Sequence, residues 1–201
     1  MQIKVLDRNF YKSASYLRCP QELNAQIYEA IHGLASLLEC VDDLDLSDKC
    51  KNKIKKYKDY PQCKLWKGYE KELFCYIAIH LDVWIYDCKY NSNISLTNFK
   101  LLRKLFCYEL YLTPDICQKY LSNIQWITDE FIQMHRSVLI QKEIERENKL
   151  LQELNQYKWE YRDKSDKFRY KVEKQIENNF YYRKLWPDCP TDLKMKYDWR
   201  K

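Results

Sequence analysis

The sequence contains few of the residues that make tight turns. Its 201 residues include only two glycines, Gly33 and Gly68, and five prolines. Sheet proteins need many turns in which glycine or proline adopts a special backbone conformation, so this scarcity argues against a sheet fold. It favours long helices joined by few connections. The length suits one domain, or one domain with a helical extension.

The chain also lacks the spacings typical of disulfide frameworks and zinc sites. Its nine cysteines are odd in number, and no two form a C-x-x-C pair. No apolar signal-like run precedes them, so we expect reduced thiols in a cytoplasmic, reducing compartment. The three histidines, His32, His80 and His135, are isolated from cysteine pairs. We therefore expect no metal site and no cofactor.

Long hydrophobic runs are missing as well. No apolar stretch approaches the length that is needed to span a membrane. The longest, residues 73–86, is interrupted by His80 and Asp82. This stretch predicts a buried helix, and we expect no membrane partner.

Positive and negative charges are segregated along the chain, although the net charge is only +6. Residues 20–48 contain seven acidic residues and no Lys or Arg. The lysine-rich segment, Lys49 to Lys71, then carries nine lysines against two acidic residues, and aromatic residues are interleaved with them. Such a segment can follow a phosphate backbone and stack on bases. A solvated loop is the alternative interpretation.

Apolar periodicity predicts an all-α fold. One very long, charge-rich helix is expected from Thr128 to about Ile176, because this stretch contains no glycine or proline. Its sparse apolar stripe is compatible with a projecting arm and with a coiled coil. Residues 49–61 are expected to form a charged connection that ends at a proline. Further helices are expected over residues 9–17, 21–40, 65–88, 95–112 and 114–123.

The same pattern predicts three parts of the chain. Residues 1–140 form a compact helical domain, and residues 141–178 form a long charged helical extension. Residues 179–201 form an aromatic C-terminal tail that packs back on the body. Within these parts, Trp66, Tyr69 and Trp186 are interpreted as packing residues, with base contact as the alternative for Trp66 and Tyr69. Gly68 is interpreted as a site of close helix approach, and His135 as a partly buried histidine.

Three sequence blocks and their order resemble one known family. The blocks are KDYPQCKLWKGYE at residues 58–70, HRSVLIQK at residues 135–142 and LWP at residues 185–187. Two N-terminal stretches, FYKSA at residues 10–14 and LNAQIYEA at residues 23–30, fit as well. Together they are similar to the pyrimidine-dimer DNA glycosylases of phages and bacteria, and the similarity extends over most of the chain.

The resemblance implies an all-α DNA repair enzyme that acts on pyrimidine dimers or abasic sites in double-stranded DNA. Its nucleophile is the chain's own α-amine, here that of Met1, and the assisting carboxylate is Glu29. An α-amine titrates near 8 and a lysine near 10.4, so far more of the former is neutral at neutral pH. The amine forms a Schiff base with the sugar, which makes the enzyme a glycosylase and AP lyase.

Basic residues of the lysine-rich segment and of the second block are the expected DNA contacts. For Arg136, an internal carboxylate is the alternative partner to a phosphate. The expected contacts are Lys55, Lys56, Lys58, Lys64, Lys67, Arg136 and Lys142.

The chain departs from the family pattern at several positions. Glu22 and Ala25 stand where the early helix of the family presents Arg and Lys. Tyr60 replaces a histidine, Cys19 an aspartate and Val138 an asparagine. An acidic early helix repels phosphates unless the lysine-rich segment covers it.

Three hypotheses therefore stay open. The first is the active glycosylase and lyase. The second is a catalytically degenerate scaffold, retained as a DNA-binding protein or in an assembly such as a viral particle. It would bind a protein partner, or itself, through the helix of residues 141–178, and would then be virion-associated. The third is an unrelated helical adaptor.

Overall fold

The computed structural model of the protein describes residues 3–17, 21–86, 97–98, 114–122, 124–160, 174 and 181–191. Among these residues the regular elements are all helical and none is a strand. The predicted all-α class is therefore confirmed. The chain divides into two compact units, Met1–Thr128 and Asp129–Lys201.

From Phe10 to Tyr86 the described helices follow one another with short connections. Two 3₁₀ turns, Val41–Asp43 and Tyr57–Asp59, interrupt the connections after the second helix. In chain order, the helices are α1 (Phe10–Ser15), α2 (Gln21–Leu37), α3 (Asp48–Ile54), α4 (Pro61–Leu65), α5 (Glu70–Tyr86), α6 (Pro114–Leu121), α7 (Asp129–Glu160) and α8 (Tyr181–Leu185).

The core of the first unit lies between α2 and α5, which pack against each other. Apolar residues recur in α2 at helical spacing, so they form one buried stripe. α5 is buried on more of its circumference, because α1, α2 and α6 all pack against it. Each fully buried Leu or Ile contributes roughly 1.5–3 kcal/mol to folding. The buried residues of the α2 stripe include Leu23, Ile27, Ala30, Ile31 and Leu34.

Polar contacts fix the start of α1. The side chain of Asn9 caps the helix by accepting a hydrogen bond from the Lys12 N–H at 3.1 Å. Gln118, on α6, accepts from the Phe10 N–H at 2.8 Å and donates to the Arg8 carbonyl at 3.0 Å. One glutamine thereby joins α6 to the first turn of α1.

The charged connection expected over residues 49–61 contains a helix that the sequence did not predict, because α3 occupies Asp48–Ile54. Lysine has a high helix propensity, and Asp48 in the first turn is favoured by the helix dipole. Ile54 is the only residue of α3 that is buried. A single apolar anchor produces no periodicity, so the sequence pattern could not indicate this helix.

The helix expected over residues 65–88 is interrupted at its start. α4 ends at Leu65, and α5 begins only at Glu70. Between them Gly68 has φ +84°, and a Cβ placed on it would meet no atom within 4 Å. The interpretation of Gly68 as a close-approach site is therefore wrong: the left-handed backbone is what requires glycine here.

Trp66 fills the core at this interruption. It is 1% exposed and makes an edge-to-face contact with Trp126, with ring centroids 5.0 Å apart. This geometry suits the quadrupoles of the two rings. The expected packing role of Trp66 is confirmed.

The second unit is built on α7, a helix of 32 residues. The expected long helix is confirmed from Asp129 to Glu160, and residues 161–173 lie outside the described residues, as does most of the helix expected over 95–112. The boundary expected after residue 140 falls inside α7.

The described part of the tail packs on α7. The buried carboxylate of Glu143 accepts hydrogen bonds from the N–H groups of Tyr182 at 2.9 Å and of Arg183 at 3.2 Å. Arg183 also forms an ion pair with Glu147. A carboxylate at the first turn of α8 satisfies amides that have no partner within the helix.

None of the helices in the described ranges combines the length and the apolarity needed to cross a membrane. The cysteines of those ranges carry free thiols. They are Cys40, Cys50, Cys63, Cys75, Cys117 and Cys189.

Candidate functional site

A buried segment without regular secondary structure, Ile3–Leu6, lies against the helices of the first unit. It pairs with no strand, so its peptide groups need side-chain partners. The Oε1 atom of Gln62 accepts from the Ile3 N–H at 2.9 Å. The Oε1 atom of Gln26, on α2, accepts from the Lys4 N–H at 2.6 Å. Two glutamines thus hold the first described residues of the chain.

Two hydroxyl groups complete the attachment of this segment. The buried Tyr76, on α5, donates its hydroxyl to the Lys4 carbonyl at 2.8 Å. The hydroxyl of Ser13 accepts from the Leu6 N–H at 2.8 Å. Burial, and after it the negative charge of Glu29, raises the pKa of Tyr76. The carboxylate of Glu29 is therefore in electrostatic range of the residue that holds Lys4.

Glu29 is half-buried on α2, three residues after Gln26. Residues i and i+3 lie on the same helix face, so Glu29 is on the side that holds the N-terminal segment. After the larger effect of burial, its charge also raises the pKa of Tyr57. Met1, the expected nucleophile, lies outside the described residues, which begin at Ile3.

The lysine-rich segment packs on the helix that carries Glu29. α3, α4 and the 3₁₀ turn Tyr57–Asp59 all contact α2. The Ser36 hydroxyl, on α2, accepts from the Lys58 N–H at 2.9 Å and donates to the Lys55 carbonyl at 3.3 Å. The positive segment is thus held against the acidic helix by backbone contacts as well as by charge.

Two of the expected DNA contacts are paired with acidic residues. Lys55 lies 2.8 Å from Asp42, and Lys58 lies 2.6 Å from Glu39. The hydrogen bond from Lys58, and then its charge, lowers the pKa of Glu39. Both pairs are exposed, and such pairs are weak because water and salt screen them. They nevertheless neutralise part of the positive charge beside α2.

Three other expected contacts keep their full charge at the surface. Lys56, Lys64 and Lys67 are exposed, and none has an ion pair within the residues that the structure describes. Lys56 precedes the 3₁₀ turn, Lys64 lies on α4 and Lys67 follows α4. Among the expected contacts in the lysine-rich segment, these three side chains are available to phosphates.

A row of aromatic rings runs from α2 to the lysine-rich segment. The ring of His32 lies 5.7 Å from that of Tyr28 and 6.4 Å from that of Tyr57, measured between centroids. Tyr57 stacks on Tyr60, with centroids 5.2 Å apart and planes inclined by 28°. Burial lowers the pKa of His32 to about 4, so the ring is neutral at neutral pH. Tyr60, at the end of the row, is 38% exposed.

The two remaining expected contacts belong to the second unit. The guanidinium of Arg136 lies 5.1 Å from the ring centroid of Trp186, a cation–π distance. Trp186 is 8% exposed and stacks on Tyr182 at 5.5 Å, so it is a packing residue, as expected. Lys142 is exposed on α7. The second and third sequence blocks therefore meet each other through Arg136 and Trp186.

Sequence reasoning missed the anchoring residues. Gln62 carries no periodic signal, and Tyr76 is one of many apolar or aromatic residues of α5. Gln62 and Tyr76 act as anchors because Ile3–Leu6 is buried without regular secondary structure, so its peptide groups need partners from side chains. His32 was considered only as a metal ligand, not as part of an aromatic row.

No group of three or more His, Cys, Asp and Glu side chains in the described ranges is placed to hold a metal ion. Comparison of the chain with protein-family models, with curated proteins and with solved structures finds no match. The resemblance to the pyrimidine-dimer DNA glycosylases therefore rests on the sequence blocks alone and stays a prediction.

Proposed function

We propose that the protein is a DNA glycosylase with AP-lyase activity on pyrimidine dimers or abasic sites in double-stranded DNA. The observation that carries this proposal is the attachment of Ile3–Leu6 beside Glu29. Only Gln2 lies between Met1 and Ile3, so the chain can extend at most about 7 Å from the Ile3 nitrogen to the α-amine. An amine tethered near a carboxylate is what imine chemistry on a sugar requires.

The proposed reaction uses no group from outside the chain except water. The lone pair of the neutral Met1 amine attacks C1′, and the electrons of the C1′–base bond leave with the base, which takes up a proton. The amine nitrogen then gives up a proton, and its freed lone pair forms the C=N bond as the C1′–O4′ bond breaks. O4′ takes up that proton and becomes a hydroxyl group, which leaves a protonated Schiff base. Glu29 stabilises this cation and accepts a proton from C2′. The electrons released from C2′ expel the 3′-phosphate, and water hydrolyses the imine to restore the amine.

Lys56, Lys64 and Lys67 are proposed to hold the DNA backbone at this site. They are exposed within a segment that packs on the helix of Glu29. Lysines at phosphates release condensed counterions, which supplies affinity without reading sequence. The paired Lys55 and Lys58 have a smaller role, because their acidic partners must be displaced first.

The test is borohydride trapping of the full chain on duplex DNA that carries an abasic site or a thymine dimer. Reduction of the Schiff base fixes a covalent adduct, which is seen as a shifted band on a denaturing gel. We expect an adduct with the unmodified protein and none with N-terminally acetylated protein. Glu29→Gln should lower the rate of strand cleavage by about 100-fold or more, because it removes the acid–base group.

Glu72→Gln is the matched control, because Glu72 is a half-buried carboxylate in the first turn of α5. It should trap and cleave like the unmodified protein. An adduct that survives acetylation would assign the nucleophile to a lysine and refute the Met1 mechanism. Equal losses in Glu29→Gln and Glu72→Gln would remove the specific role of Glu29.

A second candidate is a catalytically degenerate DNA-binding scaffold. The observation that favours it is the neutralisation of Lys55 and Lys58 by Asp42 and Glu39 beside the acidic helix α2. This candidate predicts no adduct in the trapping experiment, together with DNA binding that weakens as salt is added. Loss of both adduct and binding would refute both candidates and direct attention to a protein partner.

A further inference from the structure

Tyr57 and Tyr60 form a stacked pair at the surface of the lysine-rich segment. Their centroids are 5.2 Å apart, and Tyr60 is 38% exposed whereas Tyr57 is half-buried. Tyr57 also makes an edge contact with the ring of His32, with centroids 6.4 Å apart. The row therefore runs from half-buried rings on α2 to the exposed ring of Tyr60.

Packing within the chain accounts for only part of this arrangement. A tyrosine contributes to folding through the apolar area that it removes from water, and Tyr60 leaves more than a third of its surface in water. Large aromatic residues that stay open to solvent beside cations are typical of surfaces that bind a planar ligand. Tyr60 directly precedes Pro61 in a short turn, so little of its backbone is free to move the ring aside.

The charges around the pair specify the kind of ligand. Lys56 and Lys64 are exposed in the same segment, within four residues of Tyr60 in the sequence. An aromatic ring that offers a face, flanked by lysines, matches a nucleobase attached to its phosphates. The 3₁₀ turn that contains Tyr57 packs on α2, the helix that carries Glu29.

We infer that Tyr60, supported by Tyr57, is a stacking platform for a nucleobase that has left the base stack of the DNA. This inference rests on the proposed function and adds a recognition residue to it. Tyr60 contacts the base and Tyr57 acts as a positioning residue beneath it. In an intact duplex every base is already stacked, so the platform contributes to the binding of lesion-containing or single-stranded DNA and not of intact duplex.

The experiment measures dissociation constants by fluorescence anisotropy at one fixed salt concentration. The probes are an intact duplex and the same duplex with a tetrahydrofuran abasic analogue and a neighbouring 2-aminopurine. Tyr60→Ala should weaken binding to the lesion duplex by roughly 10-fold and leave binding to the intact duplex within about twofold. The fluorescence of 2-aminopurine rises when this base leaves the base stack. The size of the rise should differ between Tyr60→Ala and the unmodified protein.

Two further variants separate stacking from other effects. Tyr60→Phe keeps the ring and should bind the lesion duplex like the unmodified protein. Tyr120→Ala removes a tyrosine of similar exposure, 36%, from α6 and should have no effect. Thermal unfolding followed by circular dichroism confirms that each variant is folded before binding is measured.

The outcomes distinguish this inference from the proposed function. A folded Tyr60→Ala that binds the lesion duplex normally, or that weakens binding to both duplexes equally, overturns the platform. If the unmodified protein also forms the trapped adduct, the proposed function stands without it. If the unmodified protein binds neither duplex and forms no adduct, both are overturned.

Discussion

At the scale of single residues, the side chain of His80, on α5, is completely buried. Its Nδ1 atom is 2.8 Å from the Tyr76 carbonyl one turn earlier, and its ring stacks on that of Tyr76 at 3.8 Å. Its Nε2 atom has no hydrogen-bond partner in the described part of the chain. Burial lowers the pKa of His80 from 6.5 to about 3, so the folded protein holds the neutral ring.

This burial predicts a loss of stability in mild acid. Above pH 6.5 the folded and unfolded chains both hold neutral histidine. Below it the unfolded chain takes up a proton that the folded chain accepts only near pH 3, so the free energy of unfolding falls across this window. Between pH 7 and pH 5, His80 should account for roughly 2 kcal/mol of this fall.

Urea unfolding of His80→Phe at the two pH values checks this prediction. Phenylalanine keeps a planar ring against Tyr76 and has no group that titrates. The variant should lose less stability on acidification than the unmodified protein, by the stated amount. His32 is present in both chains and contributes equally, so identical pH dependence in the two chains would contradict the prediction.

At the scale of elements, the sequence predicts what depends on repeated burial. α2 was expected because apolar residues recur along it, and one side of α2 is buried as that spacing requires. α3 was missed because Ile54 is its one buried residue. The stacking of Tyr57 on Tyr60 could not be predicted from apolar periodicity either, because it depends on the geometry of a 3₁₀ turn.

The buried segment Ile3–Leu6 depends on Gln26 for one of its hydrogen bonds. Gln26→Ala removes the acceptor of the buried Lys4 N–H and should cost roughly 1–3 kcal/mol, since an unsatisfied buried donor is expensive. The amide hydrogen of Lys4 should exchange faster with solvent, as measured by hydrogen exchange. If the proposed function holds, the yield of trapped adduct should fall in parallel, because the segment no longer fixes Met1.

Gln125→Ala is the matched control, because Gln125 is exposed in the same unit. It should leave exchange at Lys4 and the urea midpoint unchanged. Unaltered protection of Lys4 in Gln26→Ala would mean that Gln26 does not anchor the segment.

At the scale of the whole molecule, charge distribution matters more than the total of +6. The prediction concerns three exposed lysines of one segment: Lys56, Lys64 and Lys67. Replacing all three by glutamine should reduce the slope of log Kd against log salt by up to about 3, since each phosphate contact releases about 0.9 counterions. The measurement is a salt titration of binding to duplex DNA.

A second triple variant separates local charge from total charge. Lys12, Lys119 and Lys184 are exposed and lie outside the lysine-rich segment. Their replacement by glutamine lowers the net charge equally but should change the slope by less than about 1. Equal effects of the two variants would mean that DNA is attracted by the overall charge and not by this segment.

The candidate site shows where sequence reasoning ends. The blocks indicated Glu29 and the lysines, because residue type and order are visible in a sequence. Whether the lysine-rich segment faces α2 depends on contacts such as that between Ser36 and Lys58, which join residues 22 positions apart. For Arg136 the sequence left a phosphate and an internal carboxylate open, and its position over Trp186 could not be predicted from either.

The attachment of the N-terminal segment also has a consequence for the order of events during synthesis. Lys4 is held by Gln26 and by Tyr76, and the latter is 72 residues further along the chain. At about 5–20 residues per second, the ribosome makes Tyr76 roughly 4–14 s after Lys4. Residues 3 and 4 must therefore wait for Gln26, Gln62 and Tyr76 before their peptide groups find these partners. Docking of this segment belongs to the late steps of folding of the first unit.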